Sequence, residues 1–121
     1  MFDEVRLSRR IRMSEKVEEF LIFEAIQEYK KFLTLCQAYP AAKIVPPPVI
    51  DEVWHTHILD TQRYAEDCQN IFGYFLHHDP CLDGLETGEY EDTLERYTDM
   101  FGEPSDLWSA EAFTCANPGK G

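Results

Sequence analysis

The four histidines of the chain are its most informative chemical feature, because all fall within 24 residues, at His55, His57, His77 and His78. Imidazole binds metal ions through a neutral ring nitrogen and also transfers protons near neutral pH. Two histidines combined with a carboxylate are typical of Zn(II) and non-haem Fe(II) sites. The sequence therefore predicts a metal site for Zn(II) or Fe(II) formed by these histidines, and it indicates no organic cofactor.

Three interpretations of His57 are open at this point. Its place in the middle of an apolar helical stripe predicts a buried ring, and both nitrogens of a buried ring need partners. His57 is then a core residue bonded to a hydroxyl and a carbonyl, a metal ligand with His77 or His78, or a general base in a pocket. His55 projects about 200° away from His57 on a helix, so one metal cannot easily bind both. Asp51 and His55, spaced i, i+4, could instead form a surface pair.

The adjacent pair His77 and His78 follows Gly73, where the chain can turn back toward the preceding helix. Neighbouring residues in an extended segment point to opposite sides, so we expect one of the two rings to face inward. The residues that could complete a metal site with these histidines are Asp51, Asp60, Asp79 and Cys81. The four cysteines form no C-x-x-C pair, which argues against a zinc knuckle or a thioredoxin-type site.

Long helices must position these residues. Apolar residues at spacings of three and four predict amphipathic helices over residues 14–38, 48–72 and 88–101. The proline-rich segment 40–48 between the first two forms a stiff connector, and a short helical turn is expected within 105–113. The predicted fold is all-α, a small bundle of three to four helices with a long antiparallel helix pair. The predicted organisation is a basic N-terminal arm at 1–13, a single helical domain at 14–113 and a tail at 114–121.

Composition narrows the class of protein. The 121 residues suffice for one domain, and an apolar content of 44% supplies a core. A net charge of −12 disfavours nucleic-acid binding, which depends on basic contacts. We find no apolar run long enough to span a membrane and no apolar segment of a signal peptide, which predicts a cytoplasmic protein. The acidic face of the third predicted helix or the arginine-rich arm could bind a protein partner.

A family pattern is visible in several of these segments. The W-H-x-H element at 54–57, preceded by Val45-Pro46-Pro47 and followed by the H-H-x-P element at 77–80, resembles the glycine-rich domain-containing protein-like family of plants and bacteria. The resemblance extends over about residues 25–108. It implies no settled activity, and it implies a candidate site made of Trp54, His55, His57, His77 and His78. Plant members join this module to a glycine-rich region, whereas this chain has 6 glycines.

These observations leave three functions to distinguish. The leading one is a small intracellular metal-binding protein, whose metal is either structural or catalytic. The alternative is a non-catalytic protein-interaction module in which the histidines hold the fold together. The third is a metal-free enzyme with His57 as its base, which would survive chelation and fail when His57 is replaced.

Overall fold

The computed structural model describes residues 2–78 and 88–109, and within these ranges the chain forms helices and no strand. The predicted all-α fold is confirmed. The described residues contain five α-helices, accompanied by 3-10 turns at Glu19–Leu21 and Asp106–Trp108. The helices are α1 at Glu4–Ser14, α2 at Ile22–Ala38, α3 at Pro48–Leu59, α4 at Thr61–Ile71 and α5 at Glu89–Phe101.

Helix α1 occupies the segment that the sequence predicts to be a basic arm. The Asp3 side chain caps it by accepting the backbone N–H of Arg6 at 3.0 Å. Leu7 and Ile11 are 4% and 0% exposed, so α1 contributes to the core of the domain. The two residues are spaced i, i+4 and form a narrow apolar stripe among the arginines. Helix α1 therefore packs on the core through these two side chains.

Two of the predicted helices are interrupted in the structure. The helix predicted over 14–38 begins only at Ile22. Near the predicted start, Glu15 adopts a left-handed conformation with φ of 60° and ends α1 instead. The helix predicted over 48–72 divides at Asp60, whose φ of −86° and ψ of 69° are not helical. At this break the Asp60 carboxylate accepts from the guanidinium of Arg6 at 2.6 Å. The break changes the direction of the chain, and α4 can pack its own buried side chains toward α3.

Helix α5 lies close to its predicted bounds of 88–101 and is joined to α2 by a buried polar cluster around Glu28. Oε1 of Glu28 accepts hydrogen bonds from the Tyr97 hydroxyl at 2.6 Å and from the Trp108 indole N–H at 3.0 Å. Oε2 accepts from the Lys31 ammonium group at 3.2 Å. Glu28 is 5% exposed, so its carboxylate connects the C-terminal elements to the centre of the domain.

Some of the remaining predicted segments lie inside the described residues and others lie outside them. The 3-10 turn at Asp106–Trp108 lies within the segment predicted to form a helical turn. Asp79, Cys81, Cys115 and the tail 114–121 lie outside the described residues. Cys36 and Cys68 are buried free thiols, and burial raises the pKa of Cys36 to about 12. No helix in the described ranges combines the length and apolar character needed to cross a bilayer.

Candidate functional site

His57 lies at the centre of a buried hydrogen-bonded cluster that joins three helices. Its Nδ1 atom is 2.7 Å from the hydroxyl of Tyr29 on α2, and its Nε2 atom is 2.8 Å from Oδ2 of Asp67 on α4. All three residues are at most 5% exposed. The helical stripe predicts the burial of His57, and the hydroxyl partner corresponds to the first of the three interpretations. The second partner is a carboxylate, where that interpretation expects a carbonyl.

The protonation state of this cluster follows from burial. Burial lowers the pKa of His57 below its usual 6.5, although the hydrogen bond to Asp67 opposes the change. Burial also raises the pKa of Tyr29 well above 10.0, so its hydroxyl keeps its proton. The neutral ring then accepts from Tyr29 at Nδ1 and donates from Nε2 to Asp67. Both ring nitrogens are engaged within the core, and the ring of Phe2 lies edge-on against His57 at 5.3 Å between centroids.

His78 and His55 lie together on another side of α3. Nε2 of His78 is 2.8 Å from Oδ1 of Asp51, and the His78 ring packs on Trp54 with 4.2 Å between centroids. The ring of His55 is 6.4 Å from that of His78. Of the adjacent pair, His78 is therefore the residue that faces α3. Its contacts hold the segment after α4 against the first turns of α3.

His77 lies apart from His57 and from the pair of His55 and His78. It is exposed, and its ring contacts Phe75 with 4.9 Å between centroids. The four predicted ligands thus lie in three separate environments. In residues 2–78 and 88–109, no group of three or more histidine, cysteine, aspartate or glutamate side chains is arranged to hold a metal ion. Of the residues proposed to complete such a site, Asp60 is bound to Arg6.

The ring of His77 contributes to an open groove of about 300 Å³, hereafter the connector groove. The connector between α2 and α3 forms one wall, and aromatic side chains line the remainder. The main side chains of the connector groove are Tyr39, Lys43, Trp54, Tyr74 and His77. The sequence predicts this connector only as a spacer. The aromatic residues on either side of the connector were the available signal, but ordinary core packing accounts equally well for Trp54, which lies on a helical apolar stripe.

A second surface feature lies between α1 and α2, hereafter the phenylalanine face. Phe20 and Phe23 are 77% and 75% exposed, and Val5 is 66% exposed. Phe23 lines a groove of about 330 Å³ whose walls are half apolar and half polar. The other lining residues are Val5, Ile22 and Ile26 on the apolar side and Glu4, Ser8, Arg12 and Glu19 on the polar side. The apolar stripe predicted for the first helix omits both phenylalanines, so their exposure agrees with the periodicity. Val5 and Phe23 line one groove because α1 packs on α2.

Fold and site together define a small all-α domain in which polar side chains, two histidines among them, bond the elements to each other. The chain belongs to the UCP032817-like family, whose model matches residues 3–98. It is similar to glycine-rich domain-containing proteins 2 and 1 of Arabidopsis thaliana, with 32% identity over 107 residues and 27% over 113 residues. These matches cover 80% and 85% of this chain but 13% of each relative. The predicted resemblance is confirmed. No solved structure shows a significant match to the chain.

Proposed function

We propose that this domain is a non-catalytic protein-interaction module that binds an amphipathic helix of a partner on the phenylalanine face. The proposal rests on Phe20 and Phe23, whose side chains are about three-quarters exposed, and on the groove between α1 and α2 that Phe23 lines. Contiguous exposed apolar surface of this kind marks interaction sites in soluble domains. A groove between two helices accepts a third helix through side chains spaced i, i+3 and i+4.

The arrangement of the histidines supports a non-catalytic role. The hydrogen bonds of His57 join α2, α3 and α4, and that of His78 joins α3 to the segment after α4. These bonds engage both ring nitrogens of His57 and the Nε2 atom of His78, so His57 has no free nitrogen for a general base or a metal ligand. They are consistent with histidines that stabilise the fold while a surface elsewhere binds the partner.

The charge around the phenylalanine face indicates the chemistry of the partner. Residues 13–24 contain four glutamates and one lysine. In the groove, Glu19 is paired with Arg12 of α1 at 2.7 Å, and the exposed Glu15, Glu18 and Glu24 flank the two phenylalanines in the sequence. An apolar helix flanked by lysine or arginine would complement this surface, because opposite charges at the rim favour encounter and orientation.

Replacing both phenylalanines with serine should abolish binding of a matching helix. The probe is a synthetic amphipathic peptide with leucines on one face and lysines on the other, titrated into the full chain by fluorescence anisotropy. Because aromatic anchors dominate such interfaces, we expect Phe20→Ser/Phe23→Ser to weaken binding by at least about tenfold. Leu59→Ser, which alters another exposed apolar residue, should leave binding unchanged.

A second peptide separates the proposed contact from charge attraction alone. It keeps the leucine face and replaces the lysines with glutamates, and it should bind much more weakly. Equal binding of the lysine peptide to the wild-type chain and to Phe20→Ser/Phe23→Ser would overturn the proposal, since the peptide would then recognise only the net charge of −12.

Metal binding is a second candidate function, and it requires side chains to rearrange, since no group among the described residues is arranged to hold an ion as it stands. Asp51, His55 and His78 lie together on α3 and the segment after α4, and the Asp51 carboxylate is already 2.8 Å from Nε2 of His78. Zn(II) or Fe(II) there would use two of the four predicted ligands. It would not use His57, whose nitrogens are both bonded in the core.

Elemental analysis of untagged protein, reloaded with Zn(II) or Fe(II) under reducing conditions, tests this candidate. On this candidate, the reloaded wild-type chain holds close to one equivalent, and His55→Ala and His78→Ala each lose the metal. His57→Gln should retain it, because that ring points into the core. Less than about a tenth of an equivalent in the reloaded wild-type protein would exclude the site.

A further inference from the structure

We infer that the connector groove binds a small organic carboxylate with an apolar body. This site shares no lining residue with the phenylalanine face, so the two proposals stand or fall separately. The inference rests on the shape of the groove, its aromatic lining and the sign of the charges around it.

The aromatic and aliphatic residues that line the connector groove indicate that the ligand has an apolar part. Rings of Tyr39, Trp54 and Tyr74 line the groove, together with the prolines and alanines of the connector. A volume of about 300 Å³ lies at the lower end of the range for small-molecule sites. Flat or branched apolar groups of modest size fit such a site, since aromatic walls provide contact area with little loss of side-chain entropy.

The floor of the groove is held in place by hydrogen bonds. The indole N–H of Trp54 donates to the Tyr64 hydroxyl at 2.9 Å, and that hydroxyl donates to the carbonyl of Leu76. Trp54 is only 5% exposed, and its ring also packs on Phe32 with 4.7 Å between centroids. These contacts fix the ring before any ligand arrives, and a site formed in advance costs less to occupy.

The charge of the ligand is indicated by the charges of the residues that line the groove. The chain has 23 acidic and 11 basic residues, yet none of the described residues that line the groove is acidic. Lys43 lies in the lining and is exposed, and the guanidinium of Arg96 is 5.2 Å from the ring centroid of Tyr39. His77 adds a polar ring. Because Lys43 is the charged side chain among the described lining residues and Arg96 stacks behind Tyr39, the groove favours an anion, and a single exposed lysine suits one carboxylate.

The test uses 3-phenylpropionate and its neutral amide, titrated into the full chain and followed by 1H–15N NMR. The two tryptophans give separate indole signals. The Trp54 signal should move with the acid, with a dissociation constant of about 1 mM or lower. The Trp108 signal should not move, because that ring is buried against Tyr97. The amide should bind at least about fivefold more weakly, since it lacks the charge.

Variants then identify the groups that bind the carboxylate and the apolar body. Lys43→Met should weaken binding of the acid by about tenfold and leave the amide unchanged. Lys16→Met, which removes an exposed lysine elsewhere, should affect neither. Ala41→Trp places a large ring at an exposed position of the groove wall and should block both compounds.

Several results would overturn the inference. Equal affinity for the acid and the amide in the wild-type chain would remove the role of charge. An unchanged affinity of Lys43→Met for the acid would remove the role of this lysine. Binding of a short peptide ending in a free phenylalanine carboxylate at least about tenfold more tightly than 3-phenylpropionate would reassign the groove to a peptide C-terminus.

Discussion

Replacing Glu28 with alanine is expected to lower the free energy of unfolding by about 3 kcal/mol. The side chain is 5% exposed and accepts hydrogen bonds from Tyr97, Trp108 and Lys31. Without it, a buried hydroxyl and a buried indole N–H lose their acceptor, and water cannot replace it without opening the core. Urea unfolding followed by tryptophan fluorescence measures the loss.

Two further variants make the Glu28 prediction specific. Glu66→Ala is the same substitution at an exposed position of α4 and should change stability by less than about 0.5 kcal/mol. Glu28→Gln keeps an oxygen that can accept from both Tyr97 and Trp108, so its loss should be about half that of Glu28→Ala. A glutamine variant as unstable as the alanine variant would show that the charge facing Lys31, rather than the shared acceptor, holds α5 in place.

Replacing His57 with leucine is expected to lower the free energy of unfolding by a similar amount, about 3 kcal/mol. The ring donates to Asp67 and accepts from Tyr29, and all three side chains are buried. Leucine fills much of the volume but leaves the Asp67 carboxylate buried without its donor. His55→Leu, two residues earlier on the same helix and exposed, should change stability by less than about 0.5 kcal/mol.

The pH dependence of stability identifies the protonation state of His57. Because burial lowers its pKa in the folded chain below 6.5, the unfolded chain binds a proton in a pH window where the folded chain does not. Stability is therefore complete above pH 6.5 and decreases as the pH falls through that window toward the folded pKa. His57→Gln should remove this slope. A slope that is the same in both proteins, or a stability that rises on acidification, would contradict a neutral His57.

Other groups around the cluster titrate at lower pH and do not obscure this slope. Arg6 lowers the pKa of Asp60 through a hydrogen bond, and Lys30 lowers the pKa of Glu4 in the same way. Both carboxylates have ordinary values of 3.8 and 4.5, so their contribution to stability is lost only below about pH 4.5. The window of His57 opens at pH 6.5, before these carboxylates contribute.

Local sequence patterns were sufficient for the parts of the structure that depend on neighbouring residues. Apolar spacing predicts the helical class, the burial of His57 and the extent of α5, because a helix must place its apolar face inward. Pro40 and the following prolines predict the end of α2 and the connector, since proline cannot continue a helix. The opposite directions of His55 and His57 also follow from helix geometry alone.

Contacts between residues far apart in the sequence decided the packing of α1 and the break between α3 and α4. The inclusion of α1 depends on Leu7 and Ile11 reaching the core and on Arg6 binding Asp60, which is 54 residues away. The break between α3 and α4 occurs at that same aspartate. Hydrophobic periodicity continues across it and therefore gives no sign of a turn.

The roles of the histidines also depended partly on the sequence and partly on the tertiary structure. The sequence by itself determined which residue types were present, that His57 would be buried and that a buried ring needs two partners. Only the tertiary structure decided that these partners are Tyr29 and Asp67, on two other helices, and that His55 and His78 lie elsewhere. The physical reason is that helix periodicity determines the direction of a side chain, whereas helix packing determines what it meets there.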